Sequence, residues 1–139
     1  MFCGTGSDVG KSVIATAVCR IFKQDGMHPA PFKAQNMAPF YHLTADGKRV
    51  ARAQGVQAEA AGIELSTDMN PLLLIPTGEK SSEVIVEGES IGIKTAMQLY
   101  AEEDRNYLRS CIQKAYNRLA KQYDPIVIEG AGSISEMNL

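Results

Sequence analysis

A glycine-rich segment near the start of the chain, GTGSDVGKS at residues 4–12, has a lysine and a serine directly after its last glycine. Phosphate-binding loops of the form G-x-x-x-x-G-K-[ST] end in the same three residue types, here Gly10, Lys11 and Ser12. The match is imperfect, because the first glycine of the pattern belongs at position 5 and the chain has it one place earlier, at Gly4. Two interpretations stay open: a nucleotide site with a longer loop, or a glycine turn that begins a helix.

The chemistry of such a loop would be the binding of a nucleotide's phosphates together with Mg²⁺. Successive backbone N–H groups can curl around a phosphate, and the N-terminus of the following helix adds positive potential. Lys11 would reach the β- and γ-phosphates, and the hydroxyl of Ser12 would coordinate the ion. The candidate nucleotide-binding residues are therefore Gly6, Ser7, Asp8, Val9, Gly10, Lys11 and Ser12.

A second glycine loop at residues 130–132 follows an apolar run and the carboxylate of Glu129. In parallel α/β sheets, ligands bind at the carboxyl ends of the strands. A carboxylate there can hold Mg²⁺ directly or through water, although a lone glutamate at a strand end is also typical of an exposed loop. Lys33 ends another predicted strand at the same edge, where its charge would neutralise a phosphoryl group or bind a substrate carboxylate, unless it is an ordinary solvated lysine.

The elements that would position these residues alternate between helices and strands. Apolar residues recur at helical spacing behind the first loop, and short apolar runs between prolines and glycines indicate strands. The spacing predicts helices at 11–26, 50–62 and 95–123. Strands or buried extended segments are predicted at 30–34, 69–76, 82–88 and 125–128. The segment 35–49, QNMAPFYHLTADGKR, has turn residues and no clear period, so it is predicted to be a loop. The alternation indicates an α/β domain with a largely parallel sheet, of the three-layer P-loop NTPase-like type.

Composition bounds the class of protein. The 139 residues fit one domain, and a net charge of −2 gives no general reason to bind nucleic acid or an anionic membrane. Three cysteines without a C-x-x-C pair argue against a disulfide framework or a zinc site. No apolar run reaches the length that spans a bilayer, and no signal pattern opens the chain, so we expect a cytoplasmic protein.

Five segments together resemble the N-terminal synthetase domain of the cobyric acid synthase family: GTGSDVGKS, APFKAQNMA, RAQGVQAEAAG, DMNPLLL and VIEGAGSISEMNL. They occur in the family's order and cover nearly the whole chain. The loop form G-T-x-x-x-V-G-K-[ST] is also similar to that of dethiobiotin synthetase, so the resemblance implies that the extra residue belongs to this branch of P-loop proteins.

The resemblance implies an activity that spacing alone does not. Family members use ATP and glutamine to amidate the b, d, e and g carboxylates of adenosylcobyrinic acid a,c-diamide, in cobalamin biosynthesis. The implied steps are phosphorylation of a corrinoid carboxylate by ATP–Mg²⁺ and attack of ammonia on the acyl phosphate. Lys11 and Lys33 then match catalytic positions, and Ser12 and Glu129 match metal positions. Five further residues in family motifs are assigned to the substrate side: Gln35, Asn36, Arg52, Gln54 and Gln57.

The resemblance also implies that the chain is a partial ATP-binding synthetase domain over residues 1–139, shortened at both ends. Only Met1 to Cys3 stand where the family has a longer first strand, and a shortened central strand predicts self-association into a homo-oligomer, or reduced stability. The glutaminase domain, with its cysteine nucleophile and histidine base, has no counterpart in the pattern of His28, His42 and the cysteines. The expected partners are a corrinoid substrate and an ammonia source outside this chain.

Three alternatives remain open. A dethiobiotin-synthetase-like carboxylate-activating ligase shares the loop, but AQNM and RAQGVQAEAAG count against it. A partitioning ATPase that dimerises on ATP would have a lysine early in its loop, where this chain has Gly6. A degenerate, non-catalytic P-loop module would keep the fold and lose the chemistry.

Overall fold

The chain folds into helices and strands, but the predicted alternation is only partial, because four strands follow the first helix and three follow the second. The computed structural model describes residues 1–99 and 101–133, so Tyr100 and the EMNL motif at 136–139 lie outside the described residues. The helices are α1 (Lys11–Gln24), α2 (Arg52–Ala61), α3 (Ala96–Leu99) and α4 (Glu102–Ala120), with a 3₁₀ turn at Thr67–Met69. The strands are β1 (Ala30–Phe32), β2 (Gln35–Met37), β3 (Tyr41–Leu43), β4 (Arg49–Ala51), β5 (Leu72–Pro76), β6 (Ser81–Val86), β7 (Glu89–Thr95) and β8 (Ile126–Ile128). No helix in the described part of the chain is long and apolar enough to cross a membrane.

Strand β8 lies between β1 and the N-terminal residues, and all three run in parallel. Phe32 of β1 is in register with Ile128 of β8. On the other side, the amide of Phe2 donates to the carbonyl of Ile128 at 2.8 Å, and the amide of Gly130 donates to the carbonyl of Phe2 at 2.8 Å. The parallel pairing brings the residues that follow β1 and β8, Lys33 and Glu129, to one edge. The α/β class with a parallel sheet is confirmed.

A second sheet has the strand order β2-β5-β6-β7. Its β2–β5 pair is parallel, and the β5–β6 and β6–β7 pairs are antiparallel, so the architecture as a whole is mixed. The parallel pairs are those next to the glycine loops, and the antiparallel meander lies farther along the sheet.

Helices cover both faces of β8. Val127 packs with Ala15 and Cys19 of α1, whereas its neighbours in the strand pack in the cluster that contains Ala115 and Leu119 of α4. Successive residues of a strand point to opposite faces, which explains why the run is apolar without alternation. The three layers hold the ends of β1 and β8 in place behind the first glycine loop.

The prediction of one loop over 35–49 is wrong, because the segment contains β2, β3 and the start of β4. Strand β2 forms through parallel pairing with β5. Strands β3 and β4 form a hairpin whose turn is closed by Thr44, which donates its amide to the carbonyl of Lys48 at 2.8 Å and accepts the amide of Lys48 on Oγ1 at 2.9 Å. These pairings depend on partners that a local period does not reveal.

The prediction of one helix over 95–123 is also wrong. Thr95 belongs to β7, and α3 ends before Ala101, whose backbone is extended at φ −57° and ψ 144°. Helix α4 begins directly after it with three acidic residues in its first turn, a composition that favours a helix N-terminus. The apolar stripe of α4 is as predicted, with four buried residues: Leu108, Cys111, Ala115 and Leu119.

Candidate functional site

The first glycine loop ends where α1 begins. Gly10 has φ +95°, a conformation that glycine adopts without strain, and it turns the chain into the helix at Lys11. The ammonium of Lys11 donates to the carbonyl of Gly6 at 2.5 Å and to the carbonyl of Gly132 at 2.8 Å. Lys11 therefore joins the first glycine loop to the second.

The position of the first glycine, one place earlier than the pattern expects, has a steric reason. A Cβ on Gly4 would lie 2.8 Å from Cγ2 of Val9 and 3.1 Å from Cδ of Lys11. At 2.8 Å the side chain of Val9 would have to shift, and at 3.1 Å that of Lys11 would have to give by a few tenths of an ångström. The loop folds back over residue 4, which favours glycine there, whereas Thr5 is exposed.

Glu129 is the centre of the site. Its Oε1 accepts hydrogen bonds from the hydroxyl of Ser12 at 2.7 Å and from the ammonium of Lys33 at 2.7 Å, and its Oε2 accepts one from Nε2 of Gln57 at 2.8 Å. The residue is only 2% exposed. Burial on its own would raise the pKa of the carboxyl, but the three hydrogen bonds, foremost that from Lys33, outweigh it and hold the pKa below its usual range.

Behind the carboxylate lies a chain of amides. Nε2 of Gln54 donates to Oε1 of Gln57 at 3.2 Å, and Nδ2 of Asn36 donates to Oε1 of Gln54 at 3.1 Å. Gln54 and Gln57 are 0% and 1% exposed and lie behind Glu129. Their assignment to the substrate side stays a prediction, and the contacts that the structure gives them are within this network. Asn36 is 8% exposed and borders the cleft.

The other two residues of that assignment lie at the surface of the site. Gln35 borders the cleft, and its Oε1 is buried without a hydrogen-bond partner among the described residues. Arg52 is exposed, outside the hydrogen-bond network of Glu129, beside a shallow apolar groove formed with Val13, Phe40 and Val56. Both positions are compatible with substrate contact.

Asn70 is a site residue that sequence reasoning missed. Its Nδ2 donates to the carbonyls of Lys33 and Leu72 at 3.0 Å each, and its Oδ1 accepts the amide of Ala51 at 3.3 Å. This 1%-exposed side chain thereby fixes the backbone at Lys33. The signal was present in the quoted motif DMNPLLL, where an asparagine precedes a proline and a buried strand.

The donor set suits a nucleotide with Mg²⁺. The cleft measures about 680 Å³ and is bordered by both glycine loops, Lys33 and Glu129. Among residues 1–99 and 101–133 there is no group of three His, Cys, Asp or Glu side chains that would hold a metal by itself. Mg²⁺ in phosphate-binding sites needs no such group, because one or two protein oxygens suffice beside phosphate oxygens and water. The hydroxyl of Ser12 and the carboxylate of Glu129 are oxygen groups of the kind that such a site uses.

Comparison with known proteins agrees with the geometry. Residues 1–137 match the family model described as the CobQ/CobB/MinD/ParA nucleotide binding domain. Over 139 residues the chain is 58% identical to the cobyric acid synthase of Phocaeicola vulgatus, covering 100% of this chain and 28% of that protein. It is 56% identical to the cobyric acid synthase of Syntrophobacter fumaroxidans, covering 100% of this chain and 27% of that protein.

The same coverage holds for a more distant relative. The cobyric acid synthase of Salmonella gallinarum is 51% identical over 140 residues, again with 100% of this chain and 27% of the relative. The chain thus spans little more than a quarter of the curated relatives that it matches, and the resemblance inferred from the motifs is confirmed. The chain belongs to the CobQ/CobB/MinD/ParA nucleotide-binding domain family.

Proposed function

We propose that this chain is the ATP- and Mg²⁺-binding part of a cobyric-acid-synthase-type ligase, which activates a corrinoid side-chain carboxylate for amidation. The observation that supports it best is the convergence of Ser12, Lys33 and Glu129 at the end of β8, beside the loop that begins α1. A structural ion pair alone would not require a nucleotide-binding loop beside it. The names of the relatives point to the same chemistry.

Each residue has a distinct role in this proposal. The loop of residues 6–12 binds the phosphates through its N–H groups and through Lys11, which must leave its carbonyl partners when phosphate enters. Ser12 and Glu129 would hold Mg²⁺, which supplies charge stabilisation for phosphoryl transfer. Lys33 lies against Glu129, where its cation neutralises charge that develops on the transferred group.

The proposed reaction has two displacements. A carboxylate oxygen of the substrate forms a bond to the γ-phosphorus of ATP, the bond to the bridging oxygen breaks, and ADP leaves with that electron pair. The nitrogen of ammonia then attacks the carbonyl carbon of the acyl phosphate, the C–O bond to phosphate breaks, and the nitrogen loses a proton. The products are the amide, ADP and inorganic phosphate.

Ammonia has to come from elsewhere in this proposal. A glutaminase domain or a separate ammonia source would provide it, and the corrinoid would dock at the open side of the cleft, near Gln35 and Arg52. No nucleic acid or membrane takes part.

The experiment is calorimetric titration of this 139-residue chain with ATP and Mg²⁺, beside Lys11→Ala. Micromolar binding that is lost in the variant supports a working phosphate loop, and a corrinoid-plus-ammonia assay with release of ADP then tests the ligase step. A folded chain that binds no ATP would rule out the proposal and favour a P-loop module without catalysis.

A further inference from the structure

We propose that Gln57, Gln54 and Asn36 form a one-way hydrogen-bond relay that positions Glu129 for its cation and presents the carbonyl oxygen of Asn36 to the cleft. This inference rests on the proposed function, because the cation is the Mg²⁺ of that site. The three amides are then positioning residues, and neither Gln57 nor Gln54, the two inner ones, touches ATP or substrate.

The contacts of Gln57 determine the direction of the relay. Nε2 of Gln57 lies 2.8 Å from Oε2 of Glu129 and 3.5 Å from the carbonyl oxygen of Ser12. A carboxylate and a carbonyl only accept hydrogen bonds, so Gln57 has to turn its NH₂ group toward both. The opposite orientation would place two acceptors against each other in a buried site.

The same logic passes outward along the chain of amides. Because Gln57 donates its NH₂ group to Glu129, its Oε1 accepts a hydrogen bond from Nε2 of Gln54. Oε1 of Gln54 in turn accepts one from Nδ2 of Asn36. The carbonyl oxygen of Asn36 is the terminus, since Nδ2 is the group of this side chain that faces Gln54. A ligand group that meets Asn36 in the cleft therefore has to be a donor, an N–H or an O–H.

Neutral amides suit this position for an electrostatic reason. Gln57 donates one hydrogen bond to Oε2 of Glu129 and so helps to fix the carboxylate plane, with Oε1 directed at Ser12 and Lys33. A second lysine in place of Gln57 would do the same and also cancel the negative charge that attracts Mg²⁺. An amide orients the carboxylate and leaves its charge available, as outer-shell partners of metal ligands do.

The first experiment measures the affinity of the chain for ATP with and without Mg²⁺, in the wild type, in Gln57→Met and in Gln54→Met. Methionine has a similar length and lacks the donor. We expect the gain in affinity from Mg²⁺, measured against each variant's own Mg²⁺-free affinity, to fall about tenfold in Gln57→Met and less in Gln54→Met. The exposed Gln113→Met is the matched control and is expected to keep the whole gain. An unchanged gain in a folded Gln57→Met protein would overturn the relay.

A second experiment needs no nucleotide and stays decisive if methionine at position 57 prevents folding. The side-chain amide resonances of the ¹⁵N-labelled chain are compared between wild type and Glu129→Gln, which gives Gln57 a partner that can donate. We expect the resonances of Gln57, Gln54 and Asn36 all to shift, and that of the exposed Gln122 to stay. A shift confined to Gln57 would overturn the relay, whereas absence of ATP binding by the wild type would overturn the proposed function alone.

Discussion

Ser12 and Glu129 lie 117 positions apart in the chain, and the hydroxyl of Ser12 donates a 2.7 Å hydrogen bond to Oε1 of Glu129. Ser12 lies in the first turn of α1, directly after the first glycine loop, and Glu129 lies between β8 and the second glycine loop, so the contact joins the two loops. The two oxygen groups that we propose as ligands for Mg²⁺ are thereby held together before any nucleotide enters, which in this proposal reduces the ordering cost of binding.

The ionised state of Glu129 contributes to stability, and the sign of its pKa shift gives the pH range. The pKa of its carboxyl is lowered in the folded protein from the ordinary value of 4.5. Burial alone would raise this pKa, but the hydrogen bonds from Lys33, Ser12 and Gln57 lower it by more. The folded state is therefore favoured above that value, and this contribution is lost as pH falls through the lower folded pKa.

We expect urea unfolding to show Glu129→Gln less stable than wild type at neutral pH, with the gap narrowing as pH falls below about 4.5. Asp46 and Glu83 also have lowered pKa values, through hydrogen bonds from Thr44 and Arg49 respectively. Both groups titrate in both proteins, so their contributions cancel in the difference. A gap that stays constant from pH 7 to pH 3 would contradict the ion-pair account of Glu129.

Gly4→Ala tests the steric explanation of the loop. The added methyl group would meet Val9 at 2.8 Å and Lys11 at 3.1 Å, so both have to shift. We expect affinity for ATP to fall about tenfold, since overpacking of this kind costs ~1–3 kcal/mol. Gly78→Ala, in the turn after β5 and far from the loop, is the control and is expected to bind as wild type does. Equal affinity of the two variants in calorimetry would contradict the proposed need for glycine at position 4.

Much of the site was predictable from local pattern. Lys11 and Ser12 follow a glycine at the start of an apolar helical stripe, and Lys33 and Glu129 directly follow short apolar strands. In each case the functional side chain lies directly beside a short sequence pattern, either a glycine turn or an apolar strand, that can be recognised locally. The parallel arrangement then brings strand ends to one edge without further information.

The relay and the hairpin were not predictable in this way. The burial of Gln54 depends on α2 packing against the first sheet, and a helical run of alanines and glutamines does not indicate which face is inside. Strand β2 exists because it pairs with β5, about 37 residues later, and β7 has mostly exposed residues despite its regular pairing. Long-range pairing decided these features.

The three cysteines should differ in reactivity. Cys3 is exposed beside the second glycine loop, whereas Cys19 and Cys111 are buried. Burial raises the pKa of the Cys19 thiol to about 11, and reaction proceeds through the thiolate. We expect iodoacetamide at pH 7.5 to alkylate Cys3 alone in the native chain and all three in urea, as peptide mapping by mass spectrometry will report. Rapid native labelling of Cys19 would contradict the packing of α1.

Arg52→Ala separates substrate contact from nucleotide binding. The side chain is exposed outside the network of Glu129, so ATP affinity and the unfolding midpoint are expected to match those of wild type. In an active ligase that contains this domain, KM for the corrinoid is expected to rise about tenfold with KM for ATP unchanged, because a charge-assisted hydrogen bond contributes ~1.5–3 kcal/mol. Arg20→Ala, an exposed arginine on α1, is the control. A change in ATP affinity with an unchanged KM for the corrinoid would mean that Arg52 contacts the nucleotide and not the substrate.

Asn36→Asp tests the direction of the relay by its dependence on pH. An ionised aspartate has no N–H for Oε1 of Gln54, which now lies 3.1 Å from Nδ2 of Asn36, so two acceptors would face each other. We expect the variant to lose ~1–3 kcal/mol of unfolding free energy at neutral pH. Its folded pKa is raised above the unfolded one, so the penalty shrinks as pH falls and the protonated carboxyl donates again.

Asn36→Leu gives the matched comparison for that measurement, because it removes the same donor and adds no titrating group. Its loss of stability relative to wild type is expected to stay constant from pH 7 to pH 4, where that of Asn36→Asp falls. Parallel pH profiles of the two variants in urea unfolding would mean that Gln54 reverses its amide and donates a hydrogen bond from Nε2 to the aspartate. The orientation of the amides would then be reversible, and Asn36 could present either its oxygen or its NH₂ group to the cleft.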